Sequence, residues 1–481
     1  MESVLSKSDY LRFLKCPQEF WLARNTPELF VAEPTLEYEH LRAQGYIVQR
    51  LVRGMSRFKD NADAEFETEF STNDLYARCD IIIRDRNERT IDIYEVKSSG
   101  SVKPEHIDDV AFQKHVVELT GEAVGKCFVV TTNCDYTRRG EVDPDECFII
   151  HDVTAEIALK NAEIVQKILE AYNYLNAEPV PRLADHCSDK HRCLFIQHHF
   201  PDIPEYSVFD VSRLHKNKLR DLLEQNIVDV LHIPPDFKLS EKQRRHVDCA
   251  RTGEPVIDHD KISKILGELR FPLHFLDYET FSYAVPQFNG TRPFQQMAFQ
   301  YSLYTIQEPC GEPVNNRFLS DGSGDPCLEL AEHLSQAMAG KIGSVVVWNA
   351  QFERKCNEEI AAMHPEFAAF FADVNENLFD LMEIFSKDHY IHPGFKGRHS
   401  LKKVLPIVEP SLGYDFMTIA DGMTASIRWF HAASKRYDAD VCSQIFEDLN
   451  KYCNLDTYGM VAIYNALQEQ CASALTPVQP V

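Results

Sequence analysis

A chain of 481 residues exceeds what one ordinary hydrophobic core organises, so two or three domains are expected. With 44% hydrophobic and 26% charged residues, and no apolar run long enough to span a bilayer, the composition is that of a soluble globular protein. The net charge of −24 argues against a protein that coats DNA non-specifically, but not against one whose carboxylates hold cations.

The opening MESVLSKSDYLRF lacks the apolar stretch of a signal peptide, so a cytoplasmic location with reduced thiols is expected. Most of the 14 cysteines are scattered and are expected as small buried hydrophobes. Composition and pattern divide the chain into residues 1–200, a helical linker at 201–268, an α/β block at 269–467 and a tail at 468–481. No G-x-x-x-x-G-K-[ST] loop is present, so any ATP-driven unwinding would belong to a partner helicase.

In the first block, LKCPQEFWL (14–22) carries Cys16, and LRAQGYIVQRLV (41–52) reads as a helix carrying Gln49. ARCDIIIRD (77–85) and IDIYEVKSS (91–99) read as a hairpin joined by RNERT. Side chains two apart on a strand share a face, so Glu95 and Lys97 point together, within reach of Asp80 on the partner strand. HIDDVAFQKHVVELTG (106–121) follows as an amphipathic helix that aims Gln113 at the hairpin's end. Two carboxylates beside an ammonium suit metal-assisted phosphodiester hydrolysis: the acids hold Mg²⁺ or Mn²⁺, and the lysine orients water or stabilises charge. An E-x-K alone is an ordinary solvated strand face; the argument rests on four features falling in order. The block ends in ADHCSDKHRCLFIQHHF (184–200), where Cys187, Cys193 and His199 recur at equal intervals.

Residues 201–268 read as short helices interrupted by HIPPDF, and the run Arg213 to Arg220 is the best basic patch for nucleic acid. The third block opens with FPLHFLDYET, in which Asp277 and Glu279 point one way from a strand end. VVVWNAQFERKCNEEIA (345–361) is a buried strand followed by Asn349 and a helix opening near Glu353. KYCNLDTYGMVAIYNAL (451–467) is a helix with Tyr452 and Asp456 on one face. Carboxylates converging from separate elements fit two-metal cleavage, with Tyr452 able to orient the attacking water. Asp380 is a reserve ligand. Phe288 and Phe294 are candidate base-stacking surfaces or ordinary core residues, and His399 and Lys402 are candidate phosphate contacts or an exposed helix face.

The order Asp80, Glu95, Lys97, Gln113 resembles the RecB-type PD-(D/E)XK nucleases. That resemblance implies a restriction-endonuclease-like fold with Asp80 and Glu95 on metal, Lys97 catalytic and Gln113 positioning them. Gln49 stands where that group often has histidine. Some relatives of that type clamp an iron–sulfur cluster with four cysteines, which here implies Cys16, Cys187, Cys193 and His199 as the ligand set. An iron–sulfur cluster, a structural zinc and a metal-free degenerate site stay open. D-x-E, N-x-x-F-acid and Y-x-x-x-D resemble the DEDDy branch of DnaQ-like exonucleases, implying a ribonuclease-H-like fold with Asp277, Glu279 and Asp456 on metal. Glu353 stands where aspartate is usual in that branch. The chain as a whole, through stretches such as SKSDYLRFLKCP, EVKSSGSVKPEHIDDVAFQ and FLDYETFSYAVPQFNGTRPFQQMAFQYSLY, resembles an uncharacterised bacterial family that joins these two nuclease domains. The expected function is metal-dependent hydrolysis of DNA, single strands or ends favoured, in repair or defence against foreign DNA. RNA processing, and a nucleic-acid-binding scaffold with a decayed site, are the alternatives.

Overall fold

The computed structural model describes residues 4–30, 35–176 and 193–475. The chain is an α/β multidomain protein with two compact units. The first unit takes the chain up to Pro201 together with Ser282–Gln295; the second takes Asp202–Phe281 and everything from Gln296.

The first unit is built on a six-stranded mixed sheet. Its strands are β1 (Leu5–Ser6), β2 (Ala64–Ser71), β3 (Leu75–Asp85), β4 (Thr90–Val96), β5 (Ala123–Thr132) and β6 (Phe148–Asp152), with spatial order β1-β3-β4-β5-β6 and β2 paired to β3. β3 and β4 form the expected antiparallel hairpin, and β4 pairs parallel with β5. A parallel pair needs a crossover, and the helix Pro104–Leu119 supplies it. That helix starts with Pro104, whose missing N–H costs nothing at a first turn, and buries Val110, Ala111, Phe112, Gln113, Val116 and Val117. Apolar residues of β3, β4 and β5 pack with it around Ile82, Ile93, Phe112 and Val129. On the chain's entry side, Ser6 caps the helix Lys7–Lys15 through a reciprocal box with Asp9.

Ser282–Gln295 lies in sequence between two strands of the second unit's sheet, yet belongs to the first unit. Its Ala284 and Val285 join a core with Val48, Tyr94 and Phe128, and Phe294 packs against the same core. The Arg138 guanidinium donates to the carbonyls of Pro286 (3.0 Å) and Gln287 (2.7 Å). Phe294 thus has the core role that the sequence left as an alternative to base stacking.

In the second unit, residues 202–268 form short helices, including Lys216–Glu224 and Glu241–Thr252, around Val208, Leu222, Val230 and Val247. This stretch, read from sequence as a separate linker, is part of the unit. A two-residue strand β7 (Val256–Ile257) precedes the main sheet of β8 (Leu273–Phe281), β9 (Met297–Ile306), β10 (Val314–Leu319), β11 (Ser344–Val347) and β12 (Leu378–Asp380). A further short strand, β13 (Tyr390–Ile391), pairs with β7. The main sheet runs β10-β9-β8-β11-β12, an antiparallel meander followed by two parallel strands. β8 is central and has nearly continuous burial, as a strand covered on both faces should. The last helix, Ala439–Leu475, runs well into the stretch expected as tail; the remainder of that tail lies outside the described residues.

Candidate metal centres

The first centre forms where β3, β4 and two helices meet. Asp80 comes from β3, Glu95 from β4, Lys97 just beyond β4, and Gln113 from the crossover helix. Glu95 is 2% exposed and Gln113 fully buried, so both need partners. The Lys97 ammonium donates to Glu95 Oε1 at 2.7 Å, and the Gln113 amide donates to Glu95 Oε2 at the same distance. Asp80 accepts from the Val96 N–H (2.8 Å) and from the Gln49 amide (3.0 Å), so Gln49 orients an acid where the resembled group often has a histidine. All four residues expected from sequence come together.

Two further residues complete it. Lys7, the first residue of its capped helix, brings a second ammonium to Glu95 Oε1 at 3.0 Å and to Asp109 Oδ1 at 3.2 Å. Asp109, one turn before Gln113, accepts from the Gln113 amide at 2.9 Å and also pairs with Lys97. Its D-x-x-x-Q spacing was a usable signal. Lys7 offered none, since it lies 88 residues from Glu95.

Charge and burial divide the acids. Burial works to raise Glu95, but Lys97 and Lys7 outweigh it and hold the carboxyl well below its usual range. Burial and the neighbouring Glu95 push Asp80 up to about 7. Burial opposes the charge on Lys7, yet Glu95, Asp109 and Asp80 keep it firmly protonated.

The second centre gathers at β8. Asp277 is partly exposed, while Glu279 (5% exposed), Glu353 (3%) and Asp456 (7%) are buried. Glu353 sits in the first turn of the helix Ala350–Met363, directly after β11. Asn349 stands at that helix's N-cap without a side-chain capping bond; Asp380, at the end of β12, caps it instead by accepting from the Ala350 N–H at 3.1 Å. Asp380 Oδ1 also accepts from the Met382 N–H at 3.1 Å, so its backbone bonds give it a structural role. Burial, then Asp456, Glu279 and Glu353, push Asp277 well above the carboxylate range. Burial brings Glu353 up to about 8. It raises Asp456 to about 6 against the Tyr414 and Tyr452 hydroxyls and the Lys402 charge.

Asp456 and Tyr452 share a face of the last helix as expected, and both Tyr452 and Tyr414 donate to Asp456. Lys402 lies 5.0 Å from the Tyr452 ring centre and 5.6 Å from that of Tyr414, and donates to the Ala420 carbonyl. It is therefore at the centre rather than on an exposed helix face. His399 contributes its carbonyl to the Trp348 indole N–H at 3.1 Å. Tyr414 and Cys453 were missed by sequence reasoning. Ligand atoms of Asp277, Glu279 and Cys453 lie within 4.8 Å of one another, and Glu353 Oε2 is buried without a hydrogen-bond partner among the described residues. An unpaired buried carboxylate oxygen beside three more acids suits a divalent cation better than a packed core.

Of the cysteine set, Cys187 lies outside the described residues. Cys16 caps the helix Pro17–Asn25, its sulfur accepting from the Glu19 N–H at 3.4 Å. Burial raises its thiol, and Cys193 lies close enough to raise it further. Burial and the neighbouring His198 lower His199 to about 4. Among the described residues, Cys16, Cys193 and His199 do not bring three ligand atoms within 4.8 Å of one another.

Fold and site define a two-unit α/β protein with a carboxylate-rich centre in each unit, and no helix among the described residues is long and apolar enough to cross a membrane. Residues 274–400, which include Asp277, Glu279 and Glu353, match a family described as a domain of unknown function, DUF2779. The chain is similar to the uncharacterized protein UU173 of Ureaplasma parvum, 24% identical over 41% of this chain and 31% of the relative. It is likewise similar to the uncharacterized protein MG366 of Mycoplasma genitalium (24% identical; 44% of this chain, 34% of the relative). The MG366 homolog of Mycoplasma pneumoniae is 26% identical over 42% of this chain and 33% of its own length. The match thus spans about a third of the length of these bacterial relatives.

Proposed function

We propose that this chain is a divalent-metal-dependent nuclease with two catalytic domains. The first is a RecB-like PD-(D/E)XK domain and the second a DnaQ-like, ribonuclease-H-like exonuclease domain. The observation that carries this reading is the quartet Asp277, Glu279, Glu353 and Asp456, in which Asp456 and Glu353 push Asp277 and Glu279 upward and one buried Glu353 oxygen has no partner among the described residues. Cations of the Mg²⁺ or Mn²⁺ type, when bound by such acids, supply Lewis acidity and a water nucleophile.

The chain's own residues divide the remaining work. Tyr452, bonded to Asp456, orients a water or substrate oxygen beside the acids. Lys402 offsets part of their charge. In the first domain Lys97 faces the same space as Glu95, where its ammonium steadies a developing oxyanion. The strand order β10-β9-β8-β11-β12 in the second unit and the β4–helix–β5 crossover in the first support the two fold readings. The proposed substrate is DNA, at single strands or ends, with repair or defence as the setting and a helicase as partner. Cys16, Cys187, Cys193 and His199 are proposed to hold an iron–sulfur cluster or zinc.

End-labelled single- and double-stranded DNA and RNA, incubated with Mn²⁺ and wild type, Glu95→Ala or Asp277→Ala, tests the proposal. Metal-dependent cleavage that weakens in each variant is expected. No cleavage of any substrate by wild type would count against it.

A further inference from the structure

The two centres satisfy their carboxylates differently. In the first, all six carboxylate oxygens accept a bond from the protein. Asp80 takes Gln49 and the Val96 N–H; Glu95 takes Lys7, Lys97 and Gln113; Asp109 takes Lys7, Lys97 and Gln113. In the second, Glu353 Oε2 is buried with no protein partner among the described residues.

Charge follows the same division. Asp80, Glu95 and Asp109 face two ammonium groups, Lys7 and Lys97, leaving one unit of negative charge. Asp277, Glu279 and Asp456 face the Lys402 ammonium, with Glu353 beside Asp277 and Asp421 beside Glu279, leaving four. Uncompensated charge is expensive where solvent is excluded, so the number of cations a site recruits follows its deficit. One divalent ion at the first centre would leave one unit of positive charge, and two at the second would leave none.

Lys7 is the residue that makes the difference. Its ammonium is 3.0 Å from Glu95 Oε1, and it enters from a helix outside the β3–β4–crossover unit that carries the other groups. An ion bound to that oxygen would sit against the ammonium. We propose that Lys7 fills a cation position of the first centre, so that this centre takes one divalent ion where the second takes two. Lys7 is thereby a positioning residue, keeping charge at Glu95 and Asp109 that a second ion would otherwise supply. The inference rests on reading both centres as divalent-cation sites.

The test is a Mn²⁺ titration of the full chain by calorimetry and electron paramagnetic resonance. Asp277→Asn with Asp456→Asn silences the second centre, and first-centre ions are those lost on adding Glu95→Gln. One ion is expected with Lys7, one with Lys7→Arg, and two with Lys7→Met, in chains whose circular dichroism matches the parent. Two ions with Lys7 or Lys7→Arg would overturn the inference while leaving the nuclease reading intact. A single ion in folded Lys7→Met would also overturn it. No first-centre ion in any variant would remove the cation reading itself. If Lys7→Met does not fold, the Lys7 and Lys7→Arg counts still decide.

Discussion

Glu353 and Asp456 keep protons in the folded protein at pH values where the same groups in an unfolded chain have lost them. Glu353 is raised from 4.5 to about 8, and Asp456 from 3.8 to about 6. At these two groups the folded state therefore binds more protons than the unfolded state across this window, so their contribution to stability falls as pH rises through it. Burial lowers His199 and His274 to about 4, which works the other way, so the fall is read against a control. In EDTA the Tm of wild type relative to Glu353→Gln is expected to fall between pH 5 and pH 8, and Mn²⁺ is expected to remove that relative fall by replacing protons. A relative Tm that rises over the same range without metal would contradict the burial argument. At Tyr452, loss of the hydroxyl leaves the carboxylates in place but removes the group that orients oxygen beside Asp456. Tyr452→Phe should lower kcat by roughly 10²-fold while Mn²⁺ binding is retained. Steady-state kinetics beside a binding isotherm would separate the two effects.

At the scale of elements, position in each centre is set by helix starts and close approaches. The Ser6 hydroxyl accepts from the Asp9 N–H at 3.1 Å, and this cap fixes the first turn that carries Lys7. Ser6→Ala should cost about 1 kcal/mol in urea unfolding and loosen Lys7 from Glu95. Gly459 lets the last helix approach the helix Leu401–Val408; a Cβ there would lie 2.7 Å from Leu405 Cδ2. Gly459→Ala should cost about 1–3 kcal/mol and shift Lys402 relative to Asp456. Denaturant unfolding and the pH profile of cleavage would register the two consequences. These elements also explain what could be read in advance. Period-two and helical spacing are local, so Asp80, Glu95, Lys97 and Gln113 were legible, as were Asp277, Glu279, Tyr452 and Asp456. Lys7 and Tyr414 arrive from elements far away in sequence, and no spacing rule reaches that far. Phe294 stayed undecided between stacking and core for a related reason: an aromatic in a polar, proline-containing loop carries no sign of the core it joins.

At the scale of the molecule, the α/β alternation and the change in character near residue 269 were visible in the sequence. The assignment of Ser282–Gln295 to the first unit was not, because it depends on packing with Val48 and Phe128 rather than on any local pattern. The cysteine set has its own whole-chain test. Anaerobically purified protein should carry either a visible absorption band that Cys16→Ser abolishes, or stoichiometric zinc lost in the same variant. A colourless, zinc-free preparation would leave Cys16 as a helix cap alone. The central claim is that both carboxylate centres cleave phosphodiester bonds, and the most direct measurement is Mn²⁺-dependent cleavage by the double variant Glu95→Gln with Asp277→Asn beside each single variant. Each single variant is expected to retain part of the activity and the folded double variant none. Undiminished cleavage by the double variant would contradict the account.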